Sequence, residues 1–329
     1  MRADAERLEW IEIPGDHEVR AFAQAVREGL GASPKFLPCR FFYDEEGSRL
    51  FEAICELDEY YLTRAEREIL EREAASLAAR FTGPVTLIEL GSGNAAKTRL
   101  LIEAFLRNGA ELRYVPVDVC RTALQDSCRA LLRDFPPLKI CAVAAEYWHA
   151  LKLLPPAAGR KLVLWLGSNI GNLDRPEAVR FLRCLAQDLG SDDRLLLGID
   201  LRKEASTLER AYDDSQRVTA QFNRNLLARI NRELGGHFDV SRFAHRAVYR
   251  EDVGRIEMYL VSEARQTVRI DALDWEVAFL EGEEIHTENS YKYSFEEIDE
   301  LADAAGLRIE ARWLDRHSRF SLNLLRAVR

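Results

Sequence analysis

From residue 84 to residue 201 the chain alternates between short apolar runs and stretches with helical spacing. The apolar runs are typical of buried strands and lie at residues 85–93, 112–120, 138–146, 161–169 and 194–201. Amphipathic stretches follow several of these runs, at residues 96–105, 121–135 and 176–189. Repeated strand-helix units of this kind form parallel sheets with helices on both faces. The alternation therefore predicts a doubly wound α/β sheet.

The alternation stops after residue 201. Residues 204–235 have a helical pattern, and the apolar runs that follow resemble strands, at 244–252, 255–263 and 265–271. A helix pattern at 295–307 precedes two final strand-like runs, 308–315 and 320–328, whose short separation predicts an antiparallel hairpin. We therefore predict three parts: an N-terminal helical segment (1–80), a sheet domain (81–203 with 287–329) and an inserted mixed α/β lobe (204–286). Within the first part, Thr63 and Glu66 have the spacing of a helix capping box.

Composition limits the classes of partner. The chain has 46 basic and 55 acidic side chains, and its net charge of −9 disfavours binding to nucleic acid. No apolar run approaches the ~20 residues of a membrane span, and the N-terminal residues lack the apolar region of a secretory signal. The six cysteines form no CxxC pair, and the six histidines have no zinc-ligand spacing. We expect reduced thiols, no bound metal, a cytoplasmic location and a small-molecule partner, with no nucleic acid and no membrane.

Polar residues follow the first three predicted strands. Gly91, Ser92 and Gly93 end the first strand, where glycines let the backbone turn sharply beside a ligand. Asp118 ends the second, where a carboxylate can accept hydrogen bonds from both ribose hydroxyls of an adenosine. These residues leave S-adenosylmethionine and NAD open as cofactors. Alternatively, they form an ordinary strand-to-helix turn and a helix N-cap.

Two residues after the third predicted strand extend this cofactor hypothesis. Glu146 ends that strand and Tyr147 follows it. The carboxylate can contact the amino edge of an adenine and the aromatic ring can flank it. A surface glutamate is the alternative interpretation of Glu146.

A set of further segments extends these motifs along most of the chain, from about residue 25 onward: 42–48 with 50–51, 59–66, 90–93 with 97–99, 114–118, 167–172, 211–214 with 222–225, 255–258 and 287–290. Together these segments resemble the histidine Nα-methyltransferases of the ergothioneine pathway. The sequence departs from the family pattern in Glu146 for an aspartate, Leu62 for a proline and Asn169 for a threonine. The resemblance implies a class I methyltransferase-like sheet with an antiparallel C-terminal hairpin and an inserted substrate lobe.

The resemblance also implies an activity and a set of site residues. The activity is S-adenosylmethionine-dependent trimethylation of the α-amino group of L-histidine to hercynine, an ergothioneine precursor. The implied cofactor residues are Gly91, Lys97, Asp118 and Glu146, beside Ser92, Gly93 and Tyr147. The implied substrate residues are Tyr43, Phe51, Tyr60, Asn172, Tyr212, Met258, Glu288 and Ser290, of which Tyr43 and Asn172 are the candidate catalytic residues. Residues 1–80 and 204–286 would then contribute to substrate binding, and the enzyme would act as a monomer.

The chemistry of these side chains suits that substrate. Glu288 and Ser290 are two apart, which places both on one face of a strand. A carboxylate can accept the imidazole N–H, and a hydroxyl can donate to the bare ring nitrogen. Asn172 can donate to the substrate carboxylate or amine and Tyr212 to the carboxylate. Aromatic faces such as that of Tyr43 can accommodate a trimethylammonium group, which has no N–H to donate.

Other interpretations remain open on the sequence. Residues 287–290 could be a solvated loop, Asn172 a helix cap, Tyr212 a packing residue and the aromatic residues simple core. An NAD-linked oxidoreductase would need a full GxGxxG, but position 96 is Ala. A non-enzymatic amino-acid-binding protein is a further class. Within the methyltransferases, the alternative is N-methylation of a thiolated histidine, a tryptophan derivative or another aromatic amino acid.

Overall fold

A computed structural model describes residues 7–12 and 17–328 of the chain. The strands are β1 (Leu8–Glu12), β2 (Lys35–Phe36), β3 (Val85–Leu90), β4 (Leu112–Asp118), β5 (Lys139–Ala144), β6 (Arg160–Trp165), β7 (Arg194–Asp200), β8 (Phe243–Arg250), β9 (Arg255–Ser262), β10 (Gln266–Ile270), β11 (Trp275–Phe279), β12 (Glu284–Tyr291), β13 (Leu307–Leu314) and β14 (Phe320–Ala327).

The α-helices are α1 (His17–Gly31), α2 (Glu45–Cys55), α3 (Leu62–Ala78), α4 (Thr98–Arg107), α5 (Arg121–Asp134), α6 (Tyr147–Leu153), α7 (Arg175–Asp188), α8 (Ala205–Tyr212), α9 (Val218–Leu234) and α10 (Phe295–Ala304). Short 3₁₀ helices span Cys39–Phe42, Asn169–Asn172, Val240–Arg242 and Asp271–Leu273. Within the described part of the chain, no helix has both the length and the apolar composition needed to cross a membrane.

The first of two compact units is built on an eight-stranded sheet and comprises residues 7–12, 62–202 and 292–328. Its strand order is β1-β5-β4-β3-β6-β7-β14-β13, and all pairs from β1 to β7 are parallel. β14 pairs antiparallel with both β7 and β13. The class I methyltransferase-like sheet and its C-terminal hairpin are thus confirmed, with β1 as a sixth parallel strand that the sequence analysis did not identify.

The parallel core of this sheet is apolar because helices cover it. Every residue of β3 is buried, as are the last four residues of β6. A strand buried on both faces has a nearly continuous apolar sequence, which explains why these strands could be located from the sequence. α3 contributes buried Ile69, Leu70 and Leu77 and packs against α4 and β14.

The second unit comprises residues 17–61 and 203–291. Its four-stranded sheet has the order β2-β12-β9-β8, with β2 parallel to β12 and the other pairs antiparallel. β10 and β11 form a separate hairpin. α8 and α9 pack against β8 and β9, and α9 also packs against α2.

The observed units differ in their boundaries from the three predicted parts. Residues 62–80 belong with the large sheet because α3 packs on it. Residues 287–291 belong with the second unit because β12 continues through Tyr291 and pairs with β9. The segment 1–80 is not only helical, since it contains β1 and β2. β11 was missed by the sequence analysis, and 284–286 was not recognised as the beginning of β12.

Candidate functional site

The strand order of the large sheet reverses between the neighbouring strands β3 and β6. From β3 the chain proceeds outward to β4 and β5, and β6 then returns to the other side of β3. Open α/β sheets bind ligands in the crevice beyond the carboxyl ends of the strands at such a point. Residues that bind a cofactor are therefore expected at the carboxyl ends of β3 and its neighbouring strands.

The turn after β3 requires glycine. Gly91 has φ +73° and Gly93 has φ +50°, in the left-handed region that glycine tolerates best. A Cβ atom on Gly91 would lie 2.7 Å from Asn169 Nδ2 and 2.7 Å from Tyr147 Oη. Two of the predicted cofactor residues, Gly91 and Tyr147, are thus neighbours, beside the turn after β6.

Ser92 lies in the same turn and has an unused hydroxyl group. The residue is 7% exposed, and its Oγ has no hydrogen-bond partner among the residues that the structure describes. Buried polar atoms in proteins are nearly always hydrogen-bonded. A ligand at the turn would supply the missing partner.

Asp118 ends β4 and is tied to the glycine turn. Its Oδ2 accepts a hydrogen bond of 2.8 Å from the Gly93 N–H, and its Oδ1 accepts one of 2.8 Å from the Cys120 N–H. A carboxylate has about four acceptor positions, so each oxygen can still accept from one ribose hydroxyl. Burial raises the pKa of Asp118 above its ordinary value, and the backbone N–H donors oppose that rise. Asp118 is not the N-cap residue of α5, because Cys120 occupies that position.

Lys97 is linked to the turn after β6 through the buried carboxylate of Glu66. Its Nζ forms an ion pair with Glu66 of α3, and the Glu66 carboxylate also accepts from the Gly167 N–H at 3.0 and 2.9 Å. Gly167 follows β6, so the pair lies beside the turn of that strand. The Lys97 side chain is 21% exposed, whereas that of Glu66 is fully buried.

The same contacts show that the predicted capping box is wrong. Thr63 lies inside α3, which begins at Leu62, and the side chain of Glu66 bonds to Lys97 and Gly167. A capping-box glutamate would instead reach back to the N-cap N–H. The sequence spacing fits both arrangements, and burial of Glu66 against the sheet decides between them.

Glu146 and Tyr147 follow β5 but differ in their surroundings. Glu146 is the N-cap residue of α6 without a side-chain capping bond, and its Oε2 lies 3.3 Å from His149 Nδ1. The Tyr147 ring contacts the Trp165 ring edge-on at 5.9 Å between centroids. The structure places Tyr147 at the glycine turn, and among the described residues no hydrogen bond joins the Glu146 side chain to that turn.

Asn172 ends the 3₁₀ helix after β6 and is partly exposed. Its side-chain amide forms no hydrogen bond with any residue in the described ranges 7–12 and 17–328. The alternative interpretation as a helix cap is wrong, because Asp174 is the N-cap residue of α7. Two amide donors and one acceptor are therefore available to a ligand.

The second unit brings the predicted aromatic residues together. Ring centroids are 5.6 Å apart for Tyr43 and Phe51, 6.1 Å for Phe51 and Tyr60, and 6.1 Å for Tyr60 and Tyr212. All three pairs meet edge to face, which is a favourable arrangement of aromatic rings. The four residues therefore form one continuous aromatic wall. Phe222 of α9 also belongs to this wall, because its ring lies 5.8 Å from that of Tyr43 and 6.0 Å from that of Phe51.

The aromatic wall meets the polar residues of β12 at Tyr212. The Tyr212 hydroxyl and Ser290 Oγ are 2.8 Å apart, and either oxygen can donate. Each hydroxyl has a single hydrogen, so a ligand that accepts from both hydroxyls must replace this bond. Burial raises the pKa of Tyr60 well above its ordinary value, and the negative charge of the Glu288 carboxylate adds to the rise. Tyr60 therefore keeps its phenolic hydrogen as a donor.

Glu288 and Ser290 lie on a strand and not on a solvated loop. They are 8% and 3% exposed, and β12 has a register irregularity between His286 and Glu288. Glu288 is directly opposite the buried Met258 of β9. A carboxylate, a hydroxyl and a thioether therefore lie close together in the interior of the second unit.

Sequence reasoning missed two residues that the structure adds to these groups. Phe222 was part of a matched segment, but nothing in its spacing indicated contact with Tyr43. Glu66 was assigned to a cap, and only the fold shows that it holds Lys97. Neither contact could be found without knowing which elements pack together.

The residues at the reversal of the large sheet fit an adenosine-bearing cofactor. Gly91 and Gly93 turn the chain sharply at the end of β3, Ser92 has an unused hydroxyl, and Asp118 can accept from two ribose hydroxyls. The positive charge of Lys97 lies near the same strand ends. These groups match the needs of a nucleoside with a charged tail and give no reason to expect a diphosphate.

Comparisons with known proteins agree with this assignment. Residues 22–327 match the model of the family described as "Histidine-specific methyltransferase, SAM-dependent". A "Histidine N-alpha-methyltransferase" from Mycolicibacterium smegmatis is 45% identical, over 95% of this chain and 97% of that protein. "Ergothioneine biosynthesis protein 1" of Schizosaccharomyces pombe is 32% identical over 92% of this chain and 40% of its own. "L-tryptophan methyltransferase trpM" of Psilocybe serbica is 29% identical over 98% of both chains. The chain belongs to the family of histidine-specific, S-adenosylmethionine-dependent methyltransferases.

Proposed function

We propose that this methyltransferase transfers three methyl groups from S-adenosylmethionine to the α-amino group of L-histidine, giving hercynine. The observation that carries the proposal is the pair of Glu288 and Ser290, both buried and two apart on β12. A neutral imidazole offers one N–H donor and one bare acceptor nitrogen. A buried carboxylate beside a buried hydroxyl complements both, and the name of the relative from Mycolicibacterium smegmatis supports the same substrate.

The rest of the substrate requires partners for a carboxylate and an amine. Tyr212 can donate its phenolic hydrogen to the substrate carboxylate when Ser290 turns its own hydrogen to the imidazole. Their present bond of 2.8 Å shows that both hydroxyls lie together. Asn172 has an amide without a partner in the described ranges, and this amide can donate to the carboxylate or accept from the amine. Tyr43 is the second candidate catalytic residue, because its hydroxyl can bond the amine nitrogen during the first transfers.

S-adenosylmethionine, when bound, would supply a methyl group whose carbon forms a bond to the amine nitrogen while its bond to the sulfonium sulfur breaks and S-adenosylhomocysteine leaves. The residues of this chain have to orient a neutral amine and exclude other nucleophiles. A bound amine can lose its proton to solvent before attack, so no strong general base is required. The trimethylated product carries a charge without any N–H, and the wall of Tyr43, Phe51 and Tyr60 offers ring faces to such a group.

A related aromatic amino acid is the alternative substrate. The relative from Psilocybe serbica is named for tryptophan and matches the chain over nearly its whole length. An indole has a donor and no ring acceptor, so it would leave Ser290 without a partner on the ring. A thiolated histidine carries sulfur on the ring carbon between the nitrogens, so the space around that carbon distinguishes it from histidine.

The proposal is tested by incubating the purified protein with S-adenosylmethionine and a panel of the standard amino acids, read by mass. We expect histidine to gain three methyl groups and tryptophan and phenylalanine to remain essentially unmodified. Preferred methylation of tryptophan would reject histidine as the substrate and retain the methyltransferase assignment. We also propose that the enzyme acts as a monomer in the cytoplasm, and light scattering of the purified protein tests its oligomeric state.

A further inference from the structure

Tyr212 is the last residue of α8, where helix carbonyl groups lack a partner within the helix. Its carbonyl oxygen lies 2.8 Å from Nε2 of His245, a buried residue of β8. A carbonyl oxygen only accepts hydrogen bonds, so the Nε2 atom must carry the hydrogen and donate it. His245 therefore caps the end of α8 at the residue whose hydroxyl reaches Ser290.

Asn223 of α9 holds the other side of the His245 ring. Its Nδ2 lies 2.9 Å from His245 Nδ1 and 3.1 Å from the Tyr259 carbonyl oxygen. An amide nitrogen has two hydrogens, so both contacts are donations by Asn223. The opposite amide orientation would set two oxygens against each other at Tyr259. Asn223 therefore fixes the tautomer of His245, with Nδ1 bare and Nε2 protonated.

This arrangement leaves one atom without a partner. Asn223 is fully buried, and its Oδ1 has no hydrogen-bond partner among the described residues. A buried acceptor without a donor destabilises the folded protein. The two bonds that Asn223 donates thus hold its amide in this orientation, although the amide oxygen then has no donor among the described residues.

The charges around His245 agree with a neutral ring. Burial lowers the pKa of His245, and Arg224 acts in the same direction, whereas the Tyr212 carbonyl, Asp213 and Asp214 oppose this shift. A proton on Nδ1 would also face the amide hydrogen of Asn223.

We propose that His245 and Asn223 are positioning residues, which hold the end of α8 so that the Tyr212 hydroxyl stays beside Ser290. This role rests on the proposed histidine site, to which Tyr212 and Ser290 belong. Neither His245 nor Asn223 has to touch the substrate, and both act through the backbone of Tyr212. A structural role alone would affect stability without a specific effect on histidine binding.

Two substitutions of His245 by amide residues distinguish between the two hydrogen bonds of its ring, because each retains only one of the two positions. In His245→Gln the amide nitrogen reaches the position of Nε2 and can still donate to the Tyr212 carbonyl, whereas the amide of His245→Asn reaches only the position of Nδ1. We expect the KM for histidine to rise about 3- to 10-fold in His245→Asn and to stay within about twofold of wild type in His245→Gln. The affinity for S-adenosylhomocysteine should be unchanged in both, and melting temperatures control for folding.

A double-mutant cycle with Tyr212→Phe provides a readout that general destabilisation would not move. If His245 acts through the Tyr212 hydroxyl, His245→Asn should raise KM no further once that hydroxyl is gone. Additive effects, or equal KM values in the Asn and Gln variants, would overturn the positioning role. Wild-type protein that leaves histidine unmethylated would instead refute the proposed function.

Asn223→Ser keeps the His245 ring and removes one of its two supports, so it offers a second test should the His245 variants fail to fold. We expect a rise in the KM for histidine smaller than in His245→Asn, with unchanged affinity for S-adenosylhomocysteine. An unchanged KM in folded Asn223→Ser would overturn the role assigned to Asn223.

Discussion

Replacing Glu288 by alanine tests how the imidazole is recognised. The side chain is only 8% exposed, so water cannot readily replace it as the partner of the ring N–H. A hydrogen bond to a charged group contributes about 1.5–3 kcal/mol. Its loss corresponds to a fall of about 10- to 150-fold in kcat/KM for histidine. Glu288→Gln keeps the shape and one acceptor, and we expect it to fall between wild type and Glu288→Ala.

The neighbouring residue provides a matched control. Thr287 is 1% exposed on the same strand, and its hydroxyl donates to the Met258 carbonyl at 3.1 Å. Thr287→Val should therefore lower the melting temperature and leave the preference for histidine over phenylalanine unchanged. The assay compares kcat/KM for both amino acids and the affinity for S-adenosylhomocysteine, which Glu288→Ala should not alter. Wild-type kinetics and selectivity in Glu288→Ala would refute the assigned role of Glu288.

Three further predictions concern the cofactor side of the protein. The substitution Asp118→Asn places an amide NH₂ group against backbone N–H groups from which the aspartate carboxylate accepts hydrogen bonds. Calorimetric titration should therefore show about a 10- to 100-fold weaker affinity for S-adenosylhomocysteine. An unchanged affinity would contradict the assignment of Asp118 to the ribose. Gly91→Ala adds left-handed strain of about 1–2 kcal/mol and a contact of 2.7 Å with the Tyr147 hydroxyl. The melting temperature should therefore fall, and Tyr147→Phe should restore part of it; no recovery in the double variant would argue against that clash. Burial raises the pKa of Glu89 from 4.5 to about 7. Ionising this carboxyl therefore lowers the free energy of unfolding by at most about 3 kcal/mol.

The Glu89 carboxyl accepts hydrogen bonds from Thr98 and Tyr114, and the charges of Lys97 and Glu66 face it. Because its folded pKa is raised, the stability that this carboxyl contributes is fully present below pH 4.5 and is lost as the pH rises through about 7. The unfolding free energy of Glu89→Gln minus that of wild type should therefore increase as the pH rises from 5 to 8. Parallel curves in urea titrations across this range would contradict the assignment.

Periodicity predicted those parts of the fold that depend on burial of whole elements. β3, β6 and β7 are buried along most of their length, and the hairpin of β13 and β14 followed from two runs with a short connection. β1 and β11 were missed because they are five residues long and largely exposed at alternating or scattered positions. A run of five residues is too short to establish the two-residue period of a strand.

Spacing predicted the placement of individual residues of the candidate site, and it could not predict the contacts between them. The two-residue spacing of Glu288 and Ser290 indicated one face of a strand, and both are buried on β12. Contacts between residues far apart in the chain, such as that of Glu66 with Lys97 or of His245 with Tyr212, have no signature in spacing. They depend on how α3 and β8 pack within their units.

The central claim is that the α-amino nitrogen of histidine, and no ring nitrogen, receives all three methyl groups. Reaction of the purified enzyme with histidine and S-adenosylmethionine carrying an isotope-labelled methyl group, followed by nuclear magnetic resonance of the product, tests this most directly. We predict one labelled signal from three equivalent methyl groups, correlated with the α-carbon of histidine. A labelled signal that correlates with the imidazole carbons, or a product that stops at one methyl group with excess cofactor, would contradict it.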